Sequence, residues 1–464
     1  MKKLLPFLLI LTLLSSCGSP TAVTPATSLA TADLPVQLGL NFIRFFWNDE
    51  GPGSSKDKKS LDALNTTTEN VQPDSIFTDF AALGADSYRQ LVKADVAWST
   101  VEPQEGEWIF TGSDAVIKSS PVPPVLTLFA LQYASPTPPW TKDSGDFQKT
   151  VGAEAKTYVE TVVKRYGPYV KYWEIGNEMD HWRSEDPNST PPDNAKNADT
   201  QAPIYSPEDG FSPEEQGVFF AEVSALIKAN DPDAVVLMPG ISGLSAYQLE
   251  TWLPGVIKGG GTEWFDIMNY HYYSDWKTLG KGRDALTVAM TDLGLTGKRV
   301  WLTETGSTSD STLTQRTNYP NSESTQAADV FRRLVTAWGH GDSAAFWHTY
   351  IGSPEIPGND WRSYGIVTSD GSKKLSYYAF QLLAQNCVPF TDVELITDTS
   401  TEHVYKITTA DGIRYVLWGS GSWDVPTGMT EGTSVVPNDD GSYAWTTLAL
   451  DGSVTLTDIP QLLK

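Results

Sequence analysis

The sequence predicts a parallel (β/α)8 barrel followed by a small all-β, sandwich-like unit. Three observations carry this. Eight short apolar runs alternate with amphipathic segments of helical length between Val36 and Gln385. After Cys387 the alternation stops, and strand-like runs follow one another across Gly-bearing turns. The chain has 464 residues, 40% hydrophobic and 19% charged, enough to bury one large core and too apolar to be globally disordered.

In chain order, the expected barrel strands are Gln37–Phe46, Ala85–Leu91, Pro124–Ala130, Val170–Ile175, Ala234–Met238, Phe265–Tyr270, Arg299–Thr303 and Ala344–His348. Helices are expected at Asp74–Leu83, Lys149–Tyr166, Pro213–Ala229, Tyr247–Ile257, Asp284–Leu293, Ser322–Trp338 and Lys373–Gln385. Eight strands alternating with helices is the number that closes a barrel. Long loops fall after the third and fourth strands, Leu131–Gln148 and Met179–Phe211, at the carboxyl ends where this fold keeps its sites. Beyond the barrel, Val393–Ile396, Val404–Thr408, Tyr415–Gly419, Ser434–Val436, Ala444–Leu448 and Ser453–Thr457 read as short strands. Turns such as Asp411-Gly412 and Asp440-Gly441 separate some of them. A unit of about 80 residues buries little by itself and is expected to pack on the barrel.

The amino terminus reads as an address. Lys2 and Lys3 precede an apolar run, Leu4–Leu14, of signal-peptide length and too short to span a bilayer. Leu14-Ser15-Ser16-Cys17 resembles a bacterial lipoprotein signal, which implies cleavage before Cys17 and lipidation of its sulfur. Gly18 to Pro35 is rich in Ser, Thr, Ala and Pro and reads as a flexible tether. The expected organisation is therefore a signal peptide at 1–16, a lipidated tether at 17–35, a barrel at 36–386 and a β unit at 387–464. Such a protein would be extracytoplasmic and held on the cell membrane or outer membrane by its lipid.

Composition excludes several partners. With 33 Lys and Arg against 57 Asp and Glu, the formal net charge is −24. This disfavours nucleic acid and electrostatic docking on anionic lipid. Two distant cysteines, Cys17 and Cys387, give no disulfide framework and no thiolate metal site. No His-Glu-x-x-His pair, Gly-x-Ser-x-Gly elbow, phosphate loop or calcium loop appears, so no metal or cofactor is implied. Nothing implies a protein partner.

Two glutamates carry the chemistry. One closes the fourth strand in Tyr172-Trp173-Glu174-Ile175-Gly176-Asn177-Glu178; the other closes the seventh in Trp301-Leu302-Thr303-Glu304-Thr305-Gly306. On a barrel, Glu178 and Glu304 would share one rim. Retaining hydrolysis of a glycosidic bond needs two carboxyl groups about 5–5.5 Å apart, one protonated to release the leaving oxygen and one ionised to attack. Like charges that close push one pKa upward, which supplies the protonated partner.

With these motifs, residues 36–386 resemble the clan A glycoside hydrolases, barrels with an Asn-Glu pair after strand four and a Glu after strand seven. The resemblance implies Glu178 as general acid/base, Glu304 as nucleophile, and Asn177 as a ligand of the sugar 2-hydroxyl. It also implies that His271 and Tyr273 form the clan's His-x-Tyr element, with Tyr273 holding the nucleophile ionised. Arg89 would be the cation that lowers the pKa of Glu304, and Trp347 the aromatic floor of the −1 sugar. Many members have Pro after Asn-Glu, where this chain has Met179. The implied activity is retaining cleavage of β-glycosidic bonds in oligo- or polysaccharides. A non-catalytic glycan-binding lipoprotein on the same barrel and a transglycosylase using the same residues are the alternatives.

Other residues read more plainly. Glu174 is expected to be a buried, hydrogen-bonded barrel residue, and strand alternation is expected to turn His348 away from the interior. Trp140, Trp182, Trp276 and Trp361 fall in rim loops; together they suggest sugar subsites, singly loop packing. Trp173 and Trp301 are expected in the core.

Overall fold

The structure, a computed structural model, describes residues 36–42, 73–90, 96–129, 138, 140–141, 151–180, 212–312, 321–351, 363–368 and 371–464. The expected signal, Cys17, the tether, Trp182 and Trp361 lie outside the described residues.

Eight strands form a closed parallel barrel in chain order: β1 (Leu38–Phe42), β2 (Ser87–Gln90), β3 (Pro124–Leu128), β4 (Tyr172–Ile175), β5 (Val235–Leu237), β6 (Ile267–Tyr272), β7 (Arg299–Thr305) and β8 (Ala344–Trp347). Closure is direct, with β1 pairing β2 on one side and β8 on the other. The outer helices are α1 (Pro73–Leu83), α2 (Trp98–Val101), α3 (Thr111–Ile117), α4 (Ala153–Tyr166), α5 (Pro213–Asn230), α6 (Leu253–Gly260), α7 (Leu279–Asp292), α8 (Glu323–Gly339) and α9 (Leu375–Cys387). Each expected strand and helix of the barrel has its counterpart. The short helices α2 and α3 were not anticipated: the first is a single turn, and the second opens on Thr-Gly-Ser, poor helix formers.

Local chemistry explains the longer helices. In α4, Ala155, Tyr158, Val159, Val162, Val163 and Tyr166 are buried, the three- and four-residue spacing of one helical face. At the start of α5, the Ser212 side chain accepts from the Glu215 N–H while Glu215 reaches back to Ser212, and Pro213 occupies the first turn. No helix among the described residues is long and apolar enough to cross a membrane.

The barrel interior has two characters. Its lower half is an apolar plug of Val36, Val125, Tyr172, Leu237, Ile267, Trp301, Ala344 and Phe346. Gly39 belongs there because a Cβ would sit 2.1 Å from the Phe346 ring. The upper half is polar and forms the candidate site. Residues of opposite parity, such as Leu126, Trp173, Met268, Leu302 and Trp347, face the helices in the main core.

After α9 the chain forms a five-stranded sheet from β9 (Phe390–Asp398), β10 (Glu402–Thr409), β11 (Gly412–Gly419), β13 (Gly432–Ser434) and β15 (Gln461–Leu463), and a two-stranded sheet from β12 (Gly421–Asp424) and β14 (Ser453–Leu456). Ala444–Leu448 is not a strand; Thr447 contributes one bridge, to Thr433. Val404, Leu417 and Leu463 of the larger sheet meet Val454 and Leu456 of the smaller one. The alternate residues Tyr405, Ile407, Val416, Trp418 and Leu462 join the main barrel core. The β unit thus packs on the barrel through one face. Trp276 belongs to this interface and not to the rim: it is buried, edge-on to Trp418 at 5.8 Å and to His403 at 5.1 Å. Cys387, unpaired and buried, ends α9; burial pushes its thiol up to about 12, which makes it inert.

Candidate active site

The polar layer is centred on Arg89, which leaves β2 toward the barrel axis and is fully buried. Its Nε and Nη2 donate to both oxygens of Glu174, at 2.7 and 2.8 Å. Nη1 donates to Glu304 Oε1 at 2.6 Å and to Asn41 Oδ1 at 3.2 Å, and Nη2 also donates to Asn177 Oδ1 at 2.7 Å. A rigid guanidinium fork can hold several carbonyl and carboxylate oxygens in one plane, which a Lys cannot do. Glu174 also accepts from Thr127 Oγ1 at 2.6 Å, Asn269 Nδ2 at 2.7 Å and the Gly240 N–H at 3.1 Å. It is the buried structural carboxylate expected of it.

Glu304 reaches the same layer through a bulge. Between β6 and β7, Tyr270 pairs with Leu302 but His271 pairs with Glu304, so Thr303 is an extra residue on β7. Inner-facing Trp301 and Thr303 are followed at once by Glu304, which also turns inward, a re-aiming that bulges permit. Its second oxygen accepts from Tyr273 Oη at 2.6 Å. Burial pushes the Glu304 carboxyl up, and Glu178 adds to that. His271, His348 and Arg89 pull it down and prevail, so its pKa lies below the ordinary value. His348 is itself lowered, chiefly by burial, whereas Arg89, bonded to Glu304, keeps its charge. Burial and the neighbouring Glu304 raise the Tyr273 hydroxyl, which therefore stays a donor.

Glu178 stands on the loop after β4. Gly176 at φ +80° and Glu178 at φ +48° turn the chain over the barrel mouth, and the Glu178 N–H donates to the Gly240 carbonyl at 2.9 Å. Its Oε1 lies 2.8 Å from His271 Nδ1. One oxygen of Glu178, one of Glu304 and one nitrogen of His271 all lie within 4.8 Å of one another. Such a trio has the donor types of a cation site. Each oxygen of Glu304 is already bonded, to Arg89 and to Tyr273, and His271 Nδ1 is turned to Glu178, so the arrangement supplies its own counter-charge.

The structure therefore brings together Glu178, Glu304, Asn177, Arg89, His271 and Tyr273. Three sequence expectations are corrected. Trp347 is fully buried in the outer core, its indole N–H donating to the Tyr364 carbonyl at 3.3 Å, and offers no face to the mouth. Ala344 and Phe346 are the inner residues of β8, so His348, not Trp347, comes next on that face. His348 Nδ1 lies 3.7 Å from Glu304 Oε2, and its ring is edge-on to Tyr273 at 5.8 Å. Trp140 is half-buried beside Trp98 at 6.0 Å and donates to the Glu102 carbonyl at 3.0 Å, so it packs the loop after β2. Sequence reasoning missed Asn41, Thr127, Asn269, Thr303 and His348. Asn41 stands beside Arg89 and Thr127 beside Glu174 only through inter-strand register, which no strand's own period reveals.

No protein-family model and no curated protein matches this chain. Solved structures do. One is a family 39 glycoside hydrolase from Bacteroides cellulosilyticus WH2, with TM-score 0.58 and 18% identity over 92% of this chain and 80% of that one. A family 39 β-xylosidase from Caulobacter crescentus gives TM-score 0.55 and 16% identity over 94% and 98%. The catalytic domain of family 30 xylanase C from Talaromyces cellulolyticus gives 0.54 and 15% over 92% and 96%. At these identities the likeness establishes the shared fold, a (β/α)8 barrel with an attached β unit.

Proposed function

We propose that this chain is a retaining glycoside hydrolase acting on β-linked oligo- or polysaccharides, with Glu304 as nucleophile and Glu178 as general acid/base. One observation carries the reading. Two carboxylates approach within 4.8 Å at the barrel mouth in unlike settings, one gripped by Arg89 and Tyr273 and one facing His271. The first setting favours an ionised nucleophile, the second a group that exchanges a proton. In this mechanism Glu304 attacks the anomeric carbon while Glu178 protonates the departing oxygen. Water, deprotonated by Glu178, then releases the sugar from Glu304. The xylosidase and xylanase named among the fold neighbours make β-xylosides the first substrates to test. The lipoprotein reading joins this proposal: Cys17 would tether the enzyme outside the cytoplasm, and Cys17→Ser should move it from the membrane to the soluble fraction. The enzyme is tested by screening 4-nitrophenyl β-xyloside, β-glucoside, β-galactoside and β-mannoside and xylan for release of product. Hydrolysis that Glu304→Gly abolishes supports the assignment. Glycan binding without turnover would favour the non-catalytic alternative, and sugar transfer at high acceptor concentration the transglycosylase.

A further inference from the structure

The polar layer determines where protons are as well as where atoms are. Arg89 and Glu174 form a two-pronged ion pair. A carboxylate accepts only, so Asn269 must present its amide nitrogen to Glu174, at 2.7 Å. That leaves Asn269 Oδ1 facing Thr303 Oγ1 at 2.5 Å. An amide oxygen also accepts only, so the single hydroxyl proton of Thr303 is committed there. Thr303 Oγ1 can then only accept from His271 Nε2, 3.2 Å away, and Nε2 must carry a hydrogen. The same hydrogen faces Glu304 Oε1, 3.7 Å from Nε2, which favours it further. The opposite ring nitrogen, Nδ1, meets Glu178 Oε1 at 2.8 Å, a separation that two bare lone pairs do not tolerate. One proton lies between them.

We propose that the chain Arg89–Glu174–Asn269–Thr303 locks His271 with Nε2 protonated, so that Nδ1 keeps Glu178 supplied with its proton. His271 is then a positioning residue for the acid/base. Its role rests on the glycosidase reading; its tautomer does not. His271 is surrounded by Glu178 from the loop after β4, Glu304 from β7, Arg89 from β2 and His348 after β8. Burial disfavours its charged form, but the two glutamates outweigh burial and Arg89, and its pKa is raised. Protonation of Nδ1 and of Glu178 Oε1 are thus the two positions of one proton. Gly240 completes the fit, because a Cβ there would lie 2.1 Å from Nε2.

Two measurements test this. Long-range 1H–15N spectra of the full chain labelled at its five histidines, with His271 assigned by its loss in His271→Gln, should show a protonated Nε2 at neutral pH. A neutral ring with hydrogen on Nδ1 and a bare Nε2 overturns the proposal. Kinetically, Thr303→Val frees the ring to turn its donor tautomer toward Glu178, which stabilises the Glu178 carboxylate. The alkaline limb of the pH–rate profile should move to lower pH. Phenyl glycosides, which need acid help, should lose about a hundredfold, while 2,4-dinitrophenyl glycosides stay near the parent rate. Thr303→Ser should behave as the parent. An equal loss for both leaving groups, or an unmoved alkaline limb, overturns the role. If Thr303→Val does not fold, the spectrum of the parent protein still decides the tautomer. A parent protein that hydrolyses no glycoside sinks the glycosidase reading while the spectrum judges the lock.

Discussion

The lower and upper halves of the barrel interior are built from the same strands, yet they differ in kind. Trp301 and Glu304 stand three residues apart on β7, and Tyr172 and Glu174 two apart on β4. Below, aromatic rings and aliphatic chains fill the axis, and the Trp301 indole N–H donates to Ser343 Oγ at 3.0 Å. Above, a buried guanidinium holds Glu174 and Glu304 by hydrogen bonds, and a third glutamate, Glu178, faces His271. The base holds the strands together and the mouth holds charges at set distances. Such a division predicts that substitutions in the two halves should fail in opposite ways.

The largest effect is expected at the mouth. Glu304→Gly should lower turnover on the order of 10^4-fold or more, because it removes the group on which the proposed covalent intermediate forms. Its melting temperature should stay near the parent's, since Arg89 keeps Glu174, Asn41 and Asn177. Glu178→Ala should cost about 10^2–10^4-fold with poor leaving groups, and azide should restore part of the rate by taking the place of the activated water. No gain from azide would separate Glu178 from the acid/base role. At the base, Trp301→Ala should cost about 3–5 kcal/mol of stability in denaturant unfolding while the folded fraction keeps its turnover. If turnover per folded molecule collapses there too, the two halves are not independent.

A smaller effect is expected where the barrel meets the β unit. Asp398 is bonded to His340 and His403, and although burial pushes its carboxyl up, these bonds pull it down to about 2. Its contribution is present above the unfolded carboxylate pKa and is lost as pH falls toward about 2. His340 is raised despite burial by Asp398 and Asp284, so its contribution is full below the ordinary histidine value and fades as pH rises through the shifted one. Thermal melts should therefore peak in mildly acidic buffer, and Asp398→Asn should flatten that peak while leaving the pH profile of turnover unchanged.

Much of the site could be read from sequence because a barrel strand end is a legible address. Glu178 and Glu304 stand at the ends of apolar runs; Arg89, Asn177, His271 and Tyr273 were legible only through the likeness to the clan's motifs. What could not be read was parity on strands buried on both faces. Ala344, Ala345, Phe346 and Trp347 are all apolar, so nothing in their order tells which pair looks inward, and His348 was assigned to the wrong face. The bulge at Thr303 breaks period two without a Gly or Pro to announce it. Trp276 looked like a rim aromatic because the β unit that covers it is distant in sequence.

The central claim is that Glu304 forms a covalent bond to sugar. A 2-deoxy-2-fluoro-β-glycoside with a 2,4-dinitrophenyl leaving group, offered as the xylo and gluco forms, would slow release more than attack and accumulate that intermediate. Peptide mapping by mass spectrometry should then find one fluoro-sugar on the peptide that carries Glu304. A label on Glu178, or hydrolysis of the parent glycoside with inversion and no label at all, would contradict the account.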